Sequence, residues 1–143
     1  MIKNFKWLFL VSLTFVACNN DDEIIVEEPV SAGTANFAKY VALGDSFAAG
    51  YSDGALFIEG QKGAYPNVLS QQFAAAGGGA FTTPLMADNV GGLLLGGNVI
   101  AAQRLYFNGA APAAVSGAPS TNVTTKVTGP FNNLGVPGAK SYH

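Results

Sequence analysis

The segment Gly44-Asp45-Ser46-Phe47-Ala48-Ala49-Gly50 puts a hydroxyl where a chain can do chemistry. It follows Lys39-Tyr40-Val41-Ala42-Leu43, which reads as a strand, and Phe47 to Tyr51 is expected to open a helix. A serine at such a junction sits at the carboxyl end of a strand, where open α/β sheets place their ligands. Its hydroxyl also faces a helix N-terminus, whose free N–H groups stabilise developing negative charge. That placement suits a nucleophile. A serine hydroxyl needs a base to accept its proton during attack, and the tetrahedral intermediate needs N–H donors, each worth about 3–4 kcal/mol. Gly, Asp and Ser also favour ordinary turns and caps, so the segment alone is equally compatible with a plain strand-turn-helix junction.

The string GDSFAAGYSDG resembles the first signature block of the GDSL, or SGNH, serine hydrolases, a family of esterases, lipases and carbohydrate deacetylases. Far downstream, Asn133-Leu134-Gly135-Val136-Pro137-Gly138-Ala139 resembles the second block of that family. Both blocks in order are much more specific than a GDS triplet. The resemblance implies an α/β chain with a flavodoxin-like three-layer α/β/α fold, incomplete here. It also implies Ser46 as the nucleophile, with the backbone N–H groups of Ser46 and Gly138 as oxyanion donors. Gly44 is expected to permit a tight strand-to-helix turn that a Cβ would obstruct. Asp45 matches the motif aspartate, whose carboxylate is expected to order the turn by accepting backbone N–H bonds; it is not assigned as a triad acid.

Other motifs fail. A nucleophile elbow would read G-x-S-x-G, but Ala48 stands two after Ser46. A P-loop needs Gly directly before Lys, whereas Gly138-Ala139-Lys140-Ser141 inserts an alanine. Asn122-Val123-Thr124 is a glycosylation sequon with little meaning in a chain exported by a bacterial route. The G-x-N-D and D-x-x-H blocks, which complete the oxyanion hole and supply the base in the family, do not occur. The single histidine, His143, has Lys140 where the aspartate should be, so the family role is not carried onto it. Asp53 and Asp88 read as solvated loop carboxylates. The chain is therefore expected to be the amino-terminal part of a longer hydrolase and nearly inactive alone. The alternatives are a non-catalytic surface lipoprotein that binds a glycan or a protein partner, and an inactive truncated product.

Residues 1–17 read as an export signal. Lys3 and Lys6 precede the apolar run Trp7 to Ala17, which is too short to cross a bilayer that needs about 20 residues. Phe15-Val16-Ala17-Cys18 resembles a bacterial lipobox. Cys18 is the only cysteine, so no internal disulfide forms, and it is the expected lipidation site. Two or more acyl chains, at about 0.8 kcal/mol per buried CH₂, make such an anchor stable. The tether, residues 18–34, carries Asp21, Asp22, Glu23, Glu27 and Glu28 with no basic residue, a composition that favours disorder. Asn19-Asn20-Asp21-Asp22-Glu23 resembles acidic surface-export tags. The expected location is the bacterial cell envelope, lipid-anchored to the outer membrane or cell surface.

Residues 35–143 then form the hydrolase part. The formal net charge of −2 comes from the acidic tether, and a nearly neutral body gives no footprint for nucleic acid. No metal or organic cofactor is implied. The expected partners are an ester substrate (a lipid, an acetylated sugar or a small ester) and the membrane. Pro66 to about Ala76 is the clearest helix, with Pro at its start and Gly77 at its stop. Its Leu69, Phe73 and Ala76, with Val68, form the apolar face. Phe131 to Val136 is expected to be a second parallel strand, delivering Gly138 to the same sheet edge as Ser46. Between them, 77–129 reads as an inserted loop or small β-excursion near the active-site rim, with weak strand signals at Val99-Ile100, Arg104 to Phe107 and Asn122 to Val127. Elements that cover both faces of a parallel sheet are expected beyond His143, and this segment expressed alone is expected to fold poorly or aggregate.

Overall fold

Along the chain the regular elements are β1 (Ala42–Gly44), α1 (Ser46–Ala49), α2 (Ile58–Lys62), α3 (Tyr65–Ala75), β2 (Leu93–Leu95), β3 (Asn98–Ala101), β4 (Leu105–Phe107), β5 (Pro112–Ala114) and β6 (Asn133–Gly135). They are seen in a computed structural model that describes residues 29–142. The export signal, Cys18, the tether to residue 28, and His143 lie outside the described residues.

β1 and β6 pair in parallel, with Gly44 opposite Gly135, Leu43 opposite Leu134 and Ala42 opposite Asn133. Flanking bonds from Ala42 N to the Asn132 carbonyl and from Val136 N to the Gly44 carbonyl, both 2.9 Å, extend the ladder. The strand read into 131–136 thus exists, shortened, and lies beside the strand before Ser46. Alternation puts Ala42, Gly44, Asn133 and Gly135 on one face, under α1, and Val41, Leu43, Leu134 and Val136 on the other. The second face is open, Leu43 being 73% exposed. Among the described residues the buried hydrophobic ones are Phe57 and five alanines, at 42, 48, 49, 55 and 64. Such a core is thin, and hydrogen bonds must supply much of the order.

α3 starts one residue earlier than Pro66 and ends in a Schellman motif. Gly77 N bonds the Ala74 carbonyl, Gly78 N bonds the Phe73 carbonyl, and Gly77 takes φ +84°. Phe73 stacks on Phe37 at 4.5 Å and meets Tyr40 edge-on at 5.0 Å. Val68 and Leu69, expected on the covered face, are exposed instead, lining an open hollow with Phe47 and Tyr51. The short α2, which the sequence reading did not anticipate, contributes a buried Gln61. Its amide donates to the Pro84 carbonyl at 2.9 Å and accepts from Met86 N at 2.7 Å, pinning the start of the excursion.

Within 77–129 the excursion does form β structure. β2 and β3 make an antiparallel hairpin through Gly96-Gly97, both with positive φ, the geometry of a type I′ turn. β4 pairs with β5. The strand expected at Asn122 to Val127 is reduced to one bridge, Leu94 to Asn122. There the Asn122 carboxamide oxygen takes Thr124 N and its hydroxyl at 3.0 and 2.8 Å, curling the chain away from a ladder. The three sheets of the described residues each have two strands; a complete three-layer α/β/α sandwich is not seen among them.

Asp88 is not the solvated carboxylate expected of it. One oxygen accepts Val90 N at 2.8 Å and Gly91 N at 3.0 Å, and the other accepts Ser120 N at 2.6 Å and the Ser120 hydroxyl. Burial raises this carboxyl, but the bonds from the Ser120 hydroxyl and then from the three backbone amides outweigh it and hold it below the ordinary value. Asp88→Asn should therefore cost about 1–2 kcal/mol at neutral pH. The wild-type advantage is full above the unfolded value, about 3.9, and is lost as pH falls through the lower folded value. Urea unfolding of both proteins at neutral and then acid pH should show their stabilities converging; a gap that persists at the acid end contradicts this role.

Candidate active site

The spacing of Gly44-Asp45-Ser46-Phe47-Ala48-Ala49-Gly50 is the spacing of a single helical turn closed at both ends. Asp45 is the N-cap of α1, its carboxylate accepting Phe47 N at 3.0 Å, as expected of the motif aspartate, while its carbonyl accepts Ala49 N at 3.0 Å. At the far end Gly50 takes φ +80°, its N–H reaching the Phe47 carbonyl, and Tyr51 N bonds the Ser46 carbonyl at 2.9 Å. A helix of four residues has little macrodipole. The help it offers an anion comes from individual N–H groups.

Ser46 is half-buried at the first helical position. Neither its hydroxyl nor its backbone N–H has a hydrogen-bond partner among the described residues. No unbonded side-chain polar atom there is fully buried, so the Ser46 Oγ is reached by solvent. Phe47, beside it, is 76% exposed and stacks on Tyr65 at 5.5 Å.

Gly44 is required for a reason other than backbone freedom, since its φ is not positive. A Cβ there would lie 2.7 Å from the Ala48 Cβ, and one on Gly135 would lie 2.5 Å from Ala49 N and 2.9 Å from the Ala48 Cβ. α1 thus rests on a flat pair of glycines that face each other across β1 and β6. Asn133, 1% exposed, locks this contact. Its amide donates to the Ala48 carbonyl at 2.9 Å and accepts Gly135 N at 3.0 Å. No motif reasoning singled out that role, because an asparagine in a predicted strand carries no signal of what lies opposite its side chain.

After β6 the chain makes a type II turn, Val136-Pro137-Gly138-Ala139. Ala139 N bonds the Val136 carbonyl at 3.0 Å, with Pro137 at the second position and Gly138 at φ +83°. The bond from Val136 N to the Gly44 carbonyl keeps this turn beside the serine turn. The Gly138 N–H has no partner among the described residues. An open hollow of about 680 Å³ lies between the two turns, walled by Gly44, Asp45, Leu134 and the stretch Ala139 to Ser141. Asp53 is an exposed residue with φ +52°, and Asp88 is tied up elsewhere. No cluster of three metal-ligating side chains occurs among the described residues, and no histidine lies among them. No protein-family model, curated protein or solved structure matches this chain.

Two substitutions probe this arrangement. Asn133→Ala should cost about 2–3 kcal/mol, because the buried Ala48 carbonyl loses its donor. Gly138→Ala should cost only about 1–2 kcal/mol, since a Cβ there meets nothing within 4 Å and only the left-handed backbone resists it. Urea unfolding monitored by far-UV circular dichroism measures both. The reverse ranking contradicts the geometry.

Proposed function

We propose that this chain carries the nucleophile half of a lipid-anchored serine hydrolase of the GDSL/SGNH type, cleaving carboxylic esters through an acyl-enzyme on Ser46. The single observation that supports this reading is the parallel pairing of β1 with β6. It sets the Gly44-Asp45-Ser46 turn and the Pro137-Gly138 turn side by side at the carboxyl ends of their strands, where α/β sheets hold ligands. In this reading the Ser46 oxygen attacks the ester carbonyl carbon and its proton passes to a base. The carbonyl oxygen becomes an oxyanion, stabilised by the Ser46 and Gly138 N–H groups. Collapse of the intermediate breaks the bond to the leaving oxygen, which departs protonated as the alcohol. Water then hydrolyses the acyl-serine to release the acid. Asp45 acts on the turn rather than on the proton. The base lies outside the described residues, and the lipid anchor at Cys18 would hold the reaction at the envelope.

A second reading, a surface lipoprotein that keeps the turn without the chemistry, is favoured by the sequence, whose one histidine, His143, has Lys140 where a D-x-x-H block needs its aspartate. Fluorophosphonate labelling of the full-length product, read by intact and peptide mass spectrometry, separates the two. An adduct on Ser46 that disappears in Ser46→Ala is the expected result. A folded protein that takes up no reagent points to the binding lipoprotein and removes the nucleophile assignment.

A further inference from the structure

We infer that the half-open apolar cavity between the excursion and the serine turn is the acyl pocket, and that it selects an uncharged acyl chain of about four to six carbons. This rests on the hydrolase reading and gives it a substrate class. The cavity has a volume of about 140 Å³ and is walled by Tyr51, Leu56, Met86, Leu93, Ala101 and Pro137, among other small residues, none of them charged. Two of these walls adjoin the candidate site. Tyr51 N is bonded to the Ser46 carbonyl at 2.9 Å, and Pro137 directly precedes Gly138 in its turn. The Tyr51 hydroxyl is already spent on the Gly54 carbonyl at 2.6 Å, so the residue adds an aromatic wall without a free donor. Leu93 and Ala101 are cross-strand partners in the hairpin. The excursion therefore supplies several walls of the cavity, alongside Tyr51 and Pro137, and leaves it partly open.

The volume sets the length. An apolar cavity of about 150 Å³ holds one benzene ring, so this one accepts a chain of about six carbons. An acetyl group would leave most of it empty, and a fatty acyl chain would not fit. The second hollow near Ser46, about 670 Å³ and walled by Phe47, Tyr51, Tyr65, Val68 and Leu69, is much more open and grips nothing on all sides.

The test uses the full-length product, base included, with p-nitrophenyl esters of two, four, six, eight and twelve carbons, following acyl transfer to Ser46 by intact mass. The rate should rise about fourfold per methylene up to six carbons, the worth of burying each CH₂, and then fall. Ala101→Leu, which fills the cavity, should move the optimum to two carbons, and Leu93→Ala should move it beyond six. A methyl fluorophosphonate, which needs no pocket, is run in parallel. If it labels Ser46 while the acyl series is flat, still rises at twelve carbons, or is unmoved by either folded variant, the pocket assignment falls and the hydrolase reading stands. If neither reagent modifies Ser46, both fall.

Discussion

One side-chain amide holds the candidate site together. A helix of a single turn cannot sustain itself, and α1 leaves the carbonyl of Ala48 pointing into the protein. Asn133 reaches it from the neighbouring strand while its other atom takes an N–H of that same strand. Helix, strand and the two glycines beneath are therefore fixed as one unit. The preceding residue extends the hold. The Asn132 amide donates to the Tyr40 carbonyl at 3.0 Å, and its oxygen accepts from Thr82 N at 3.0 Å and the Thr82 hydroxyl at 2.9 Å. β6 is thereby tied to the chain before β1 and to the segment that leaves α3.

This reliance on polar contacts follows from the composition. Alanines dominate the buried apolar residues, and larger side chains such as Leu43 and Phe47 face outward. Burial of a methyl group contributes little, about 0.8 kcal/mol per carbon, so side-chain amides and carboxylates carry the cross-links. Asp88 does for the excursion what Asn133 does for the serine turn. Each joins segments far apart in sequence through one planar group with two bonding sides.

The legible parts of the sequence were those with local causes. Pro66 and Gly77 bracket α3 because each acts on its own backbone. The strand at 131–136 shows only weakly, as Phe131, Leu134 and Val136 among two asparagines and a glycine, and the two segments singled out for their motifs hold the turns that the structure brings together. What stayed hidden depends on distant partners. α2 has Gly60 within it and no side-chain cap at Phe57, so nothing local announces it. β5 begins with a proline and continues in alanine, a composition poor in strand signals. Asp88 looks like a loop residue until Ser120 arrives beside it, and Asn133 gives no hint of Ala48. The run at 122–127 misled in the other direction: its Thr and Val residues favour strands, but the Asn122 side chain captures the backbone first.

The glycine pair beneath α1 also constrains the order in which this sequence can change. A methyl group added at Gly44 collides with the side chain of Ala48, whereas one added at Gly135 also runs into the backbone of Ala48 and Ala49. The first becomes tolerable to that contact only after position 48 has itself lost its methyl; the second is barred whatever side chain position 48 carries. Ala48→Gly loosens the helix without an immediate gain, so it is a poor first step. Positions 44 and 48 are thus an epistatic pair that a lineage can leave only by passing through a weakened intermediate, and a comparison of drifted sequences should find those two changing together while position 135 stays glycine.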